Sequence, residues 1–157
     1  MPDAAPSETH AARSRVVRRA EAGWEGLAPL AYRRGDAPPA PGVRDPVQRW
    51  LLAGGPPSDS AYELRYFELA PGATTAHERH RHEHAVVVLR GSGEVLLDGA
   101  VHALATGDLV RVAPDGAHQF RNRGAEPFGF LCVVDSERDR PRPVHTDDDA
   151  PSCDLPG

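Results

Sequence analysis

Side-chain character alternates residue by residue along "AYELRYFELAPG", Ala61 to Gly72, as in a strand with one buried face, and the pattern stops at a Pro-Gly turn. Beyond the histidines that follow, residues 85–135 read "AVVVLRGSGEVLLDGAVHALATGDLVRVAPDGAHQFRNRGAEPFGFLCVVD". Short runs of valine, leucine and phenylalanine alternate there with Gly-Ser-Gly, Asp-Gly, Thr-Gly-Asp and Pro-Asp-Gly turn signals. Strands this closely spaced, with no helical period between them, predict an all-β fold, a single antiparallel barrel or sandwich over residues 61–135. No internal repeat is visible, so one barrel is expected rather than two.

Upstream the pattern loses its regularity. Residues 1–14 are expected to be disordered. Residues 15–60 are expected to form an extended N-terminal arm, in which "VQRWLLAGG" reads as a strand ended by glycines. Trp24, Tyr32 and Trp50 on this arm have too little local core to bury them, so they should pack on the barrel or across the two-fold axis of a homodimer. Residues 136–157 read as a tail, draped over the barrel or over a partner subunit. Most of the 16 prolines lie before residue 61 or after residue 135, which agrees with a packed unit between them.

Composition narrows the classes. A formal charge of −5 argues against nucleic-acid binding, and Arg13, Arg15, Arg18 and Arg19 read as a solvated basic patch on the arm. All 18 basic residues are arginine, which excludes a lysine Schiff base. Cys132 lies in an apolar run and Cys153 in a proline-rich tail, so no disulfide framework is expected. With no segment apolar enough to span a bilayer and no apolar stretch near the first residue, a cytoplasmic protein is the expectation.

The chemistry concentrates in "HERHRHEH", residues 77–84, which holds four of the eight histidines at the threshold of an apolar strand. Residues two apart on a strand share a face, so His80 and His82, or His82 and His84, can both face a barrel interior. A helical His-Glu-x-x-His zinc site is ruled out, because His77-Glu78-Arg79-His80 is one residue short and the following valines favour strand. A second polar island, "GDLVRVAPDGAHQFRN", delivers His118 to the start of another predicted strand.

Together these stretches resemble the cupin superfamily of small β-barrels, in the form of a small single-domain bacterial cupin similar to the quercetinase-like branch. The family's first motif runs Gly-x5-His-x-His-x3 or 4-Glu-x6-Gly. Here Pro71-Gly72 opens it and Gly91 closes it. Gly107, Pro114, His118 and Asn122 carry the second motif, in which Pro114 and Gly116 each fall one place late. Counting back from Gly91, the family's glutamate position holds His84, and its two upstream histidine positions hold Glu78 and His80. The resemblance therefore implies a jelly-roll barrel holding one divalent transition metal (manganese, iron, nickel, copper or zinc) on Glu78, His80, His84 and His118. His82 is the alternative to Glu78. His77 is expected near the site, and His10, His102 and His145 on the surface.

If His84 and His118 point inward, period two brings Val86, Val88 and Phe120 into the same lumen. The resemblance adds Phe130 and Cys132 to the substrate pocket. Arg65, on the preceding strand, can offer its fork of donors to a substrate carboxylate. Of Tyr66 and Phe67, one is expected in the core. An ion with open positions, in a lumen of valine and phenylalanine, suits a small chelating substrate. Within the family, such a site resembles the oxygenases of the quercetinase-like and cysteine-dioxygenase-like branches, and the resemblance implies a metal-dependent oxidoreductase, a dioxygenase. A non-redox isomerase or lyase, and a binding module without catalysis, are the alternatives.

Overall fold

Alternating sequences form strands where one face can be buried, and this chain does so throughout its packed region. The computed structural model describes residues 14–32 and 44–145, so the expectations for residues 1–13, for His10 and Cys153 and for the end of the tail lie outside the described residues. The strands are β1 (Arg19–Ala20), β2 (Gly23–Trp24), β3 (Val47–Gly54), β4 (Tyr62–Leu69), β5 (Glu78–Arg79) and β6 (His84–Arg90). They continue as β7 (Ser92–Leu97), β8 (Ala100–Ala105), β9 (Leu109–Val112), β10 (His118–Arg121), β11 (Phe128–Asp135) and β12 (Arg142–Pro143). Among the described residues there is no helix, and so none long and apolar enough to cross a membrane.

Two five-stranded sheets, ordered β3-β4-β11-β6-β9 and β12-β5-β10-β7-β8, make the jelly roll, and β1 and β2 form a small hairpin. Among the described residues the strand pairings are all antiparallel, and non-consecutive strands lie side by side, as β11 does between β4 and β6. The core draws on both sheets, with Phe67, Val86, Val88 and Phe130 from one and Val95, Leu104 and Phe120 from the other. Burial of such side chains is the main force holding the sheets together.

Two glycines are required by close packing. Gly91 turns β6 into β7 at a φ of +66°, and a Cβ there would overlap the Pro127 carbonyl. At Gly129 a Cβ would overlap the hydroxyl of Tyr66, which donates to Glu68 Oε2 at 2.8 Å.

Both Tyr66 and Phe67 are buried, where alternation alone allowed one. Phe67 joins the lumen, stacked on Phe130 with 5.6 Å between ring centroids. Tyr66 belongs to the opposite face of β4, which the arm covers. Trp50 of β3 pairs in register with Tyr66 at 5.8 Å, and Trp24 meets it edge-on at 5.4 Å. The arm aromatics thus pack on their own barrel, and this burial pushes the Tyr66 phenol well above its usual range.

Asn122, from the second motif, is fully buried and acts as a clasp. Its Nδ2 donates to the carbonyls of Leu69 (3.0 Å) and Glu126 (2.7 Å), and its Oδ1 accepts from Gly124 N (2.9 Å). Asn122→Ala strands those groups, so it should destabilise the fold by about 2–3 kcal/mol. Urea unfolding of the purified chain measures this directly.

Candidate metal centre

His84 opens β6 and His118 opens β10, while His80 lies just past β5 in the loop that leads to β6. Strand pleat turns the first two inward, as the burial of every second residue from His84 to Val88 and from His118 to Phe120 records. All three imidazoles are buried, and one ligand atom of each lies within 4.8 Å of the others. Ring centroids are 4.9 Å apart for His80–His84, 4.8 Å for His80–His118 and 4.9 Å for His84–His118.

Each Nδ1 of the trio is engaged. His80 Nδ1 donates to the His82 carbonyl at 2.7 Å and His118 Nδ1 to the Gly116 carbonyl at 2.9 Å. A carbonyl only accepts, so both rings carry their proton on Nδ1 and keep a lone pair on Nε2. His84 Nδ1 lies 3.0 Å from Cys132 Sγ, and its Nε2 is buried with no hydrogen-bond partner. Burial, reinforced by the neighbouring rings, pushes His84 down to about 2 and His80 to about 4. Burial lowers His118 as well. Neutral, oriented imidazoles with a free nitrogen suit a divalent transition metal, which needs deprotonated ligands.

The trio opens into a cavity of about 690 Å³. Glu78 and His82 line this cavity but are outside the group of three, Glu78 facing His118 across β5 and β10. Arg65, Phe120, Phe130 and Cys132 also line it. Val86 and Val88 are inward and fully buried, but they sit in the packed core and not among the lining residues. The apolar wall comes from Phe67, Phe120 and Phe130, the last two packed at 4.6 Å. His77 is half-buried beside the site, while His102 and His145 are exposed. Burial pushes the Cys132 thiol up, so it stays protonated at neutral pH.

Sequence reasoning missed contributions from both the arm and the tail. Tyr32 of the arm lines the cavity, and its hydroxyl accepts from Ala76 N at 2.9 Å. From the tail, Arg138, Asp139 and Arg140 form part of the wall, and Asp139 accepts a hydrogen bond from His82 Nδ1 at 2.8 Å. No local pattern marks Tyr32 or Asp139, because each depends on a contact far along the chain.

Residues 65–134 match the model of the cupin domain. The chain is 39% identical over 142 residues to 1-methylthio-D-xylulose 5-phosphate methylsulfurylase of Rhodospirillum rubrum, an alignment covering 85% of this chain and 86% of that protein. The chain belongs to the cupin family. Its fold is similar to that of a cupin 2 conserved barrel domain protein from Rhodopseudomonas palustris, with a TM-score of 0.69, 39% identity and coverage of 85% and 89% of the two chains. The polyketide cyclase RemF of Streptomyces resistomycificus is similar at a TM-score of 0.60 and 26% identity, over 68% of this cupin and 80% of that chain.

Loss of a ligand should cost more than the roughly 10- to 100-fold typical of losing a ligand's hydrogen-bond partner. His84→Ala and His118→Ala are therefore expected to abolish stoichiometric metal in the purified protein, whereas Cys132→Ala should weaken affinity by about tenfold. Elemental analysis and competition against a chromophoric chelator read both effects.

Proposed function

We propose that this cupin is a metal-dependent enzyme acting on a small, oxygen-rich, anionic substrate of the phosphorylated methylthio-sugar class. The observation that carries this reading is Arg65, whose guanidinium shares the cavity with the three imidazoles. It lies over the Phe67 ring at 5.1 Å, donates from Nη2 to Cys132 Sγ at 3.3 Å, and keeps a buried Nε with no partner. Among the described residues no carboxylate pairs with it. A half-buried guanidinium without a counter-ion is left under-compensated, and its planar fork matches a phosphate or carboxylate. Similarity to an enzyme whose name specifies a ketose 5-phosphate bearing a methylthio group supports phosphate as the anion.

In this reading His80, His84 and His118 hold the ion, and Glu78 or His82 is available as a further donor. A bound divalent cation supplies Lewis-acid stabilisation of negative charge on a substrate oxygen. Arg65 binds the anionic end and so fixes which carbon faces the imidazoles. Phe67, Phe120 and Phe130 receive the apolar end and exclude water. Similarity to proteins named a methylsulfurylase and a polyketide cyclase, neither named as an oxygenase, supports chemistry other than oxygenation. The same apolar wall beside the three imidazoles also supports the dioxygenase expected from the resemblance to quercetinase-like cupins.

Oxygen separates the two. Incubation of the metal-loaded protein with a 1-methylthio ketose phosphate, followed by ³¹P and ¹H NMR, should show conversion at the same rate under air and under argon. Arg65→Gln should raise KM about 10- to 100-fold. Turnover that stops under argon, with stoichiometric oxygen uptake in air, would establish the dioxygenase instead. No turnover of any phosphorylated methylthio sugar would sink the substrate assignment.

A further inference from the structure

Asp139 lies beyond the residues that match the cupin domain, in a segment whose composition marks it only as a polar tail. It nevertheless makes the densest set of hydrogen bonds near the trio. Its carboxylate accepts from Arg81 N at 2.9 and 3.0 Å, from His82 N at 3.1 Å and from His82 Nδ1 at 2.8 Å. The residue so gripped, His82, offers its own carbonyl to His80 Nδ1 at 2.7 Å. Its ring also stacks flat on His80, with 3.7 Å between centroids and 6° between planes. The loop from His80 to Glu83 has no strand pairing of its own to hold it in place.

The segment that carries Asp139 is anchored on both sides. Arg138 makes a largely buried ion pair with Glu63 at 2.8 Å. Downstream, β12 pairs with β5, and Arg142 meets Asp115 at 2.6 Å. Asp139 is thus delivered to the histidine loop by a strap tied to β4 before it and to β5 after it.

We infer that Asp139 is a positioning residue for the metal centre, acting through the His82 backbone and ring to fix the plane and proton position of His80. The inference rests on the reading of the trio as a metal site. A carboxylate is suited to this task because it only accepts at neutral pH, and its two oxygens can satisfy converging N–H donors at once. An amide at the same place would turn an NH2 group toward one of those donors. Alanine would leave the Arg81 and His82 amides to water and release the loop. The contribution is to ligand orientation, and so to affinity and ligand field.

The test uses the full chain loaded with cobalt(II), with affinity measured by competition against a chromophoric chelator and ligand geometry by the visible cobalt absorption. Asp139→Ala should bind about 10- to 100-fold more weakly, with a changed cobalt spectrum. Asp139→Asn should fall between Asp139→Ala and the unmodified chain, and it carries the test if the alanine variant loses the near-ultraviolet circular dichroism of the fold. Arg142→Ala, which cuts the ion pair on the same strap, should stay within about threefold of the unmodified chain and keep its spectrum. The inference is overturned if Asp139→Ala binds within about threefold of the unmodified chain. It is also overturned if Arg142→Ala loses as much affinity as Asp139→Ala, since the strap as a whole would then be responsible. An unmodified chain that binds no divalent ion would remove the metal centre itself, an outcome separate from equal binding by chain and variant.

Discussion

A neutral imidazole ligates only through the nitrogen that does not carry the proton, and here the partners of two of the three Nδ1 atoms make that choice. Backbone carbonyls fix it for His80 and His118, and the sulfur of Cys132 faces the same atom of His84. Burial keeps the three rings uncharged and leaves His84 Nε2 with nothing to bond. A buried polar atom without a partner is a liability in a folded chain, and a cation shared by the trio would remove it. The fold can be seen as a means of holding these acceptors still.

Several elements share that work. Sheet pairing sets Cys132 opposite Val86 on one side and Arg65 on the other, which brings the sulfur, the guanidinium and His84 into one cluster. The Gly116 carbonyl comes from the tight turn before β10, where Gly116 N bonds back to Ala113 O at 3.0 Å. The His82 carbonyl comes from an irregular loop. Both carbonyl acceptors thus belong to turns and loops, held in place by contacts at their ends, and the site inherits its order from the surrounding barrel.

The arm and the strap extend the domain beyond its motifs. Trp24 and Trp50 cover the outer face of β4 and let Tyr66 be buried there, while Tyr32 reaches over to the cavity. The segment after β11 closes the other side with Arg138, Asp139 and Arg140. A cavity with both arginines and carboxylates on its rim and phenylalanines in its wall favours a ligand that is charged at one end and apolar at the other.

Much of this was legible in the chain itself. Period two along "AYELRYFEL" and from His84 to Val88 determined strands, and in the second of them the inward face, because pleat leaves no other way to bury alternating apolar residues. The spacing from Gly107 to His118 and from His84 to Gly91 marked both halves of the histidine trio. Parity could not tell that Val86 and Val88 would sit in the core while Phe67 took the cavity wall, since it reports a face and not a depth. Nor could it choose between His82 and His80 as neighbours of His84, for the loop between β5 and β6 follows no strand period. That choice, like the roles of Tyr32 and Asp139, belonged to tertiary structure. Hydrogen bonds between residues 57 or 58 positions apart, as between Asp139 and the histidine loop, leave no trace in any local pattern.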